Sequence, residues 1–148
     1  MSVGLVLEGG GMRGSYTAGV LSAFEDNEVH FPSIYGISAG ACNALSYISG
    51  QSYRNHDIFY QYVQGDKYVS VKNFIKHGCM FDFDYIFGDL FHTILPFDYE
   101  AFKNLPSNFM PVQPIYKQGC LCFLQKMIWT NEWMSLEPPV LYRFYLTL

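Results

Sequence analysis

The sequence predicts an α/β fold, a mainly parallel sheet flanked by helices, and three observations predict it. Val3 to Leu7 is a continuous apolar run that stops at a glycine cluster, the pattern of a strand buried on both faces of a parallel sheet. Phe31 to Ile37 offers a second short strand, and it stops at another glycine-bearing turn. Behind each run apolar residues recur at helical spacing, so the chain opens β-α-β-α, an alternation that calls for parallel strands with helical crossovers.

Taken in order, the first strand passes through Gly9-Gly10-Gly11-Met12-Arg13-Gly14 into a helix over Ser15 to Phe24. Tyr16, Val20, Leu21 and Phe24 are its expected inward set, and Glu25, Asp26 and Asn27 close it in a polar turn. The second strand passes through Gly36-Ile37-Ser38-Ala39-Gly40 into a helix over Ala39 to Ile48, with Ala41, Ala44, Leu45 and Ile48 inward and Gly50 as its stop. Residues 51–107 are aromatic and less regular, with a helix expected near His56 to Val63 and a mixed segment from Met80 to Phe91. Within that segment the stripe Phe81 to Phe87 reads either as core packing or as a lipid-facing lid.

Composition narrows the class. The 148 residues are 50% hydrophobic and 15% charged, too apolar for a disordered segment and enough for one small domain. A net charge of −4 and no Lys/Arg cluster leave no footprint for nucleic acid, which we exclude as a partner. The N-terminus has no positive region before its apolar run, and Glu8 interrupts that run, so secretion is not indicated. No apolar stretch reaches the roughly 20 residues that span a bilayer. Cys42, Cys79, Cys120 and Cys122 lack the doubled spacing of a zinc site and read as free thiols in a reducing cytoplasm. We expect no metal and no cofactor, and a cytoplasmic, membrane-peripheral location.

The two glycine motifs carry the chemistry. Gly9, Gly10, Gly11 and Gly14 let the chain turn sharply and leave amide N–H groups uncovered at a helix start, which makes an anion hole. Gly9-x-Gly11-x-x-Gly14 also fits a dinucleotide fingerprint, but the acid that should end the second strand is missing, and Gly36-Ile37-Ser38 stands there instead. A nucleotide-binding module is therefore kept as an alternative. Gly36, Ser38 and Gly40 spell a GxSxG sequence between a predicted strand and a predicted helix, the setting of a nucleophile elbow, in which small flanking residues such as Ala39 permit the turn. If the two strands are neighbours, the first loop can offer donors to an oxyanion formed at Ser38. Arg13 either braces that loop or is a solvated helix-start residue. A Ser38, Asp84, His92 triad is the remaining arrangement; His30, His56 and His77 read as structural.

With a Gly-Gly-Gly-x-Arg-Gly loop after the first strand and a Gly-x-Ser-x-Gly elbow downstream, residues 1–107 resemble the patatin-like phospholipases, specifically their compact bacterial kind. The aromatic stretch Tyr53 to Phe102 is similar in flavour. The resemblance implies a lipid acyl hydrolase with a Ser-Asp dyad: Ser38 as the nucleophile, and Gly9, Gly10, Gly11 and Gly14, supported by Arg13, as the oxyanion hole. It implies a phospholipid or other lipid ester as substrate and peripheral contact with membranes. The family's base lies in an Asp-Gly-Gly or Asp-Gly-Ala motif, and none of Asp26, Asp57, Asp66, Asp82, Asp84, Asp89 and Asp98 is followed by glycine. A serine without its base is a poor nucleophile, so the chain as written is expected to be close to inactive, a non-catalytic fragment being the alternative.

Composition shifts near Asn108: every Asp and all but one Gly precede it, and four of the seven prolines follow. Reading Lys126 to Phe144 one base early allows a string with an Arg-Ala-Ser-x-Ser-Ile-Pro core, which resembles the segment after the family's central strands. We therefore expect a patatin-like domain truncated after its first half at residue 107, and an atypical tail, 108–148, out of frame with the rest.

Overall fold

The computed structural model describes residues 3–78, 80–104 and 107–112. The order is β1 (Gly4–Leu7), a single 3-10 turn (Gly11–Arg13), α1 (Gly14–Asp26), β2 (Ser33–Ile37), α2 (Ala39–Ile48) and α3 (Ser52–Asp57). A π-helical turn (Ile58–Tyr62), α4 (Val71–His77), a π-helical segment (Tyr85–Ile94), α5 (Tyr99–Lys103) and β3 (Asn108–Val112) follow. The three strands form one sheet in the order β1-β2-β3, parallel throughout, with Leu7 opposite Gly36 and Gly36 opposite Pro111. Pro111 has no N–H to give, which suits β3, paired on one side only among the described residues. The expected β-α-β-α start and parallel sheet are both present.

The core forms where Leu21 of α1 and Ala44, Tyr47 and Ile48 of α2 pack with Leu7 and Ile34 of the sheet. Leu5, Phe24, Phe31, Phe102 and Phe109 pack around them. The Tyr47 hydroxyl donates to the Val29 carbonyl and ties the β2 approach to α2. All four residues expected to face inward on α2 are buried, and α2 has the predicted limits.

Three expectations are corrected. β1 is not buried on both faces: Leu7 is buried on one, whereas Val6, which points to the other, is 67% exposed. On α1 the buried stripe is Gly14, Ala18 and Leu21, whereas Tyr16 is 81% exposed. Small residues let α1 approach α2 closely, and that approach sets the phase of the helix. The helix expected from His56 begins at Ser52 and widens at Ile58 into a π turn.

From Phe81 onward rings replace small residues as the packing device. Phe81, Phe83, Phe87, Phe91, Phe97, Phe102 and Phe109 form a ladder with neighbouring centroids 4.9 to 6.3 Å apart, in the range of favourable aromatic pairs. Arg54 of α3, only 1% exposed, anchors the ladder. Its Nε and Nη2 donate to the Leu95 carbonyl at 3.1 and 2.6 Å, and Nη1 donates to Ser46 Oγ at 3.0 Å. Its guanidinium lies 4.9 Å from the Phe91 ring centre and 5.4 Å from that of Phe97, and burial lowers its pKa. Cys79, Cys120, Cys122 and the tail beyond Val112 lie outside the described residues.

Candidate active site

Parallel pairing of β1 with β2 brings their C-terminal ends together, and the two glycine loops emerge there side by side. Their contact is tight: a Cβ built on Gly9 would stand 3.0 Å from Ser38 Cβ and 3.4 Å from the Ile37 carbonyl oxygen. A side chain at that position would press on the serine, and glycine removes the pressure.

Ser38 has φ 52° and ψ −122°, a conformation that side-chain-bearing residues avoid and that the first central position of a type II′ turn uses. The surroundings enforce it. A Cβ on Gly36 would lie 2.6 Å from Ala41 Cα, and one on Gly40 would lie 2.4 Å from the Leu7 carbonyl oxygen, so α2 sits almost in backbone contact with both strands. The Ser38 carbonyl accepts the N–H groups of Ala41 and Cys42 at 2.9 and 3.3 Å and starts α2. Ser38 is partly accessible, and its Oγ has no hydrogen-bond partner among the described residues. It stands at the N-terminus of α2, where the helix dipole favours negative charge.

Gly11 has φ 54°, and a Cβ there would meet Phe81 Cζ at 3.5 Å. The side chain of Arg13 lies over Gly10, with Nε 3.4 Å from a Cβ built there, and the Arg13 N–H donates to the Gly10 carbonyl at 3.1 Å. The amides of Gly9 and Gly10 are not taken up by any hydrogen bond among the described residues.

The sequence reading missed Asn43. It is 2% exposed, its Nδ2 donates to the Gly14 carbonyl at 2.8 Å, and its own carbonyl accepts from Asn55 Nδ2 at 2.9 Å. Asn43 therefore pins the start of α1, and with it the glycine loop, to α2. The signal was present: asparagine is a poor interior helix residue, and here it interrupts a run of small apolar ones. Burial pushes the Cys42 thiol up to about 12, which favours its neutral form. His92 stacks on Tyr99 at 6.1 Å between centroids, and among the described residues no histidine hydrogen-bonds Ser38. The structure brings Gly9 and Ser38 together.

The sequence model of the patatin-like phospholipases matches residues 5–138. The chain belongs to the patatin-like phospholipase family. The match crosses the compositional change near Asn108. This patatin-like chain is also 33% identical over 85 residues to the uncharacterized protein YjjU of Escherichia coli K12, a match covering 57% of the chain and 24% of that protein. The similarity thus spans about a quarter of the relative's length. No solved structure matches the chain significantly. Among the described residues no helix is long and apolar enough to cross a membrane.

Proposed function

We propose that this chain carries the nucleophile half of a lipid acyl hydrolase. Ser38 Oγ attacks the carbonyl carbon of a phospholipid or other lipid ester, the amides of Gly9, Gly10 and Gly11 receive the negative charge, and the lipid alcohol leaves to give an acyl-Ser38 ester that water then cleaves. Gly14 and Arg13 hold the donor loop in place. The observation that carries the reading is the strained Ser38, at φ 52° on the start of α2, packed so closely on Gly9 that a Cβ built there would stand 3.0 Å from the Ser38 Cβ.

The proton on Ser38 needs an acceptor, and by the family pattern that is an aspartate followed by glycine. None of the seven aspartates in these 148 residues has that context. We infer that the 148-residue chain turns over slowly for want of the second half of a Ser-Asp dyad. Because the family match runs on to residue 138, any loss of frame has to be tested at the DNA level: sequencing the genomic DNA from the Lys103 codon onward supports a shifted tail if another frame restores Asp-Gly, and removes it if none does.

A fluorophosphonate probe tests the nucleophile. The expected result is a mass increase localised to Ser38 and absent from Ser38→Ala, with slow release from 4-nitrophenyl butyrate. Labelling of Ser38 no faster than of other serines overturns the nucleophile. Rapid, Ser38-dependent ester turnover overturns the missing base.

A further inference from the structure

The excursion from Ser70 to Met80 is closed at its base. The Ser70 N–H donates to the Met80 carbonyl at 2.9 Å, Val69 and Phe81 form an antiparallel bridge, and the Asp82 N–H donates to the Tyr68 carbonyl at 3.1 Å. Its outer part is α4, capped by Ser70 Oγ, which accepts the Asn73 N–H at 3.1 Å, and ended by Gly78 at φ 70°. Val71, Phe74 and Ile75 share one face of α4 by their spacing. They are 65%, 56% and 80% exposed, and Met80 beyond them is 45% exposed. Single exposed apolar residues need no explanation, but four on one short excursion form a patch that water does not favour.

Charge singles out the same stretch. Between Asp66 and Asp82, which bound the excursion at its base, residues 67–81 contain Lys67, Lys72 and Lys76 and no Asp or Glu, in a chain whose net charge is −4. Lys67 and Lys72 are exposed. An apolar face flanked by lysines complements an anionic bilayer, whose headgroups attract the cations while the acyl boundary takes the apolar side chains. The base of the excursion adjoins the site, since Phe81 follows Met80 and its ring packs at Gly11.

We propose that this excursion docks the protein on anionic lipid surfaces, with Val71, Phe74, Ile75 and Met80 entering the headgroup boundary and Lys67 and Lys72 meeting its charge. The choice of lipid as partner rests on the acyl hydrolase reading. Docked in this way, the glycine loop lies beside the surface that supplies the ester.

Co-sedimentation of the 148-residue chain with vesicles of phosphatidylcholine, alone or with phosphatidylglycerol added, tests it. Binding to the anionic vesicles should be about tenfold tighter or more, and the Phe74→Ser, Ile75→Ser double variant should weaken it by about tenfold. Lys72→Gln should weaken it by about fivefold. These positions are exposed, so circular dichroism and labelling of Ser38 in the absence of vesicles should not change. Equal sedimentation of the double variant and the parent, or no vesicle binding by the parent, overturns the proposal. So does a dimeric parent that the double variant renders monomeric, which would mean that a second copy covers the face. Vesicle binding without Ser38 labelling removes the hydrolase reading and leaves docking; labelling without vesicle binding does the reverse.

Discussion

At the ends of β1 and β2 one added methyl group would strike backbone at 2.4 Å from Leu7 or 2.6 Å from Ala41, whereas from Phe81 to Phe109 large rings meet at 4.9 to 6.3 Å. The first region is positioned by what its side chains lack, the second by what they fill. Backbone against backbone leaves almost no freedom, and that rigidity holds Ser38 in its strained turn and Gly9 against it. Ring against ring is more forgiving, because a smaller side chain can be partly accommodated by its neighbours. The rigid region carries the candidate chemistry.

Substitutions can break or sharpen that contrast. The largest effect should come from Gly40→Ala, whose Cβ would lie 2.4 Å from the Leu7 oxygen and 2.6 Å from the Glu8 oxygen. Neither backbone atom can yield cheaply, so a loss of about 3 kcal/mol or more is expected in urea unfolding. A loss under about 1 kcal/mol would show that α2 can move and that the close approach is not limiting.

Next comes Arg54→Met, which keeps bulk in the aromatic region but strips the Leu95 carbonyl and Ser46 Oγ of their donors. Equilibrium unfolding should show a loss of about 2 kcal/mol, the usual cost of leaving a buried acceptor unpaired together with the lost ring contacts. No loss would mean that the rings alone hold the segment.

Ser38→Gly should act in the opposite direction. Glycine adopts φ 52° without strain, so thermal unfolding should show a gain of about 1 kcal/mol while fluorophosphonate labelling disappears. A stability loss would place the strain elsewhere. The smallest change is Gly19→Ala, on the open side of α1, where a Cβ meets nothing within 4 Å. A gain of about 0.5 kcal/mol from helix propensity is expected, so that glycines in one helix layer differ by their surroundings alone.

Much of the first region was legible because its signals are local. The glycine loop, the GxSxG turn and both limits of α2 come from residues close together in the chain, and small residues at fixed offsets have few other uses. The second region was less legible. An aromatic residue fits a strand, a helix or a lid equally well, and the π-helical segment Tyr85–Ile94 has no apolar period that separates it from an ordinary helix. The α1 phase was misread for a similar reason: Tyr16 is the more hydrophobic residue at its spacing, but only Gly14 and Ala18 are small enough for the contact with α2.

The sequence alone determined the family, the strand-loop-helix order and the identity of the candidate nucleophile, because each is written in contiguous residues. The tertiary structure decided the rest. It set Gly9 against Ser38 through parallel pairing, buried Arg54 against a carbonyl 41 residues away and Asn43 against one 29 residues away, and left Val6 and the α4 face uncovered. Each of these depends on contacts between distant segments, where the free energy of burial is shared among partners and no single stretch of chain records it.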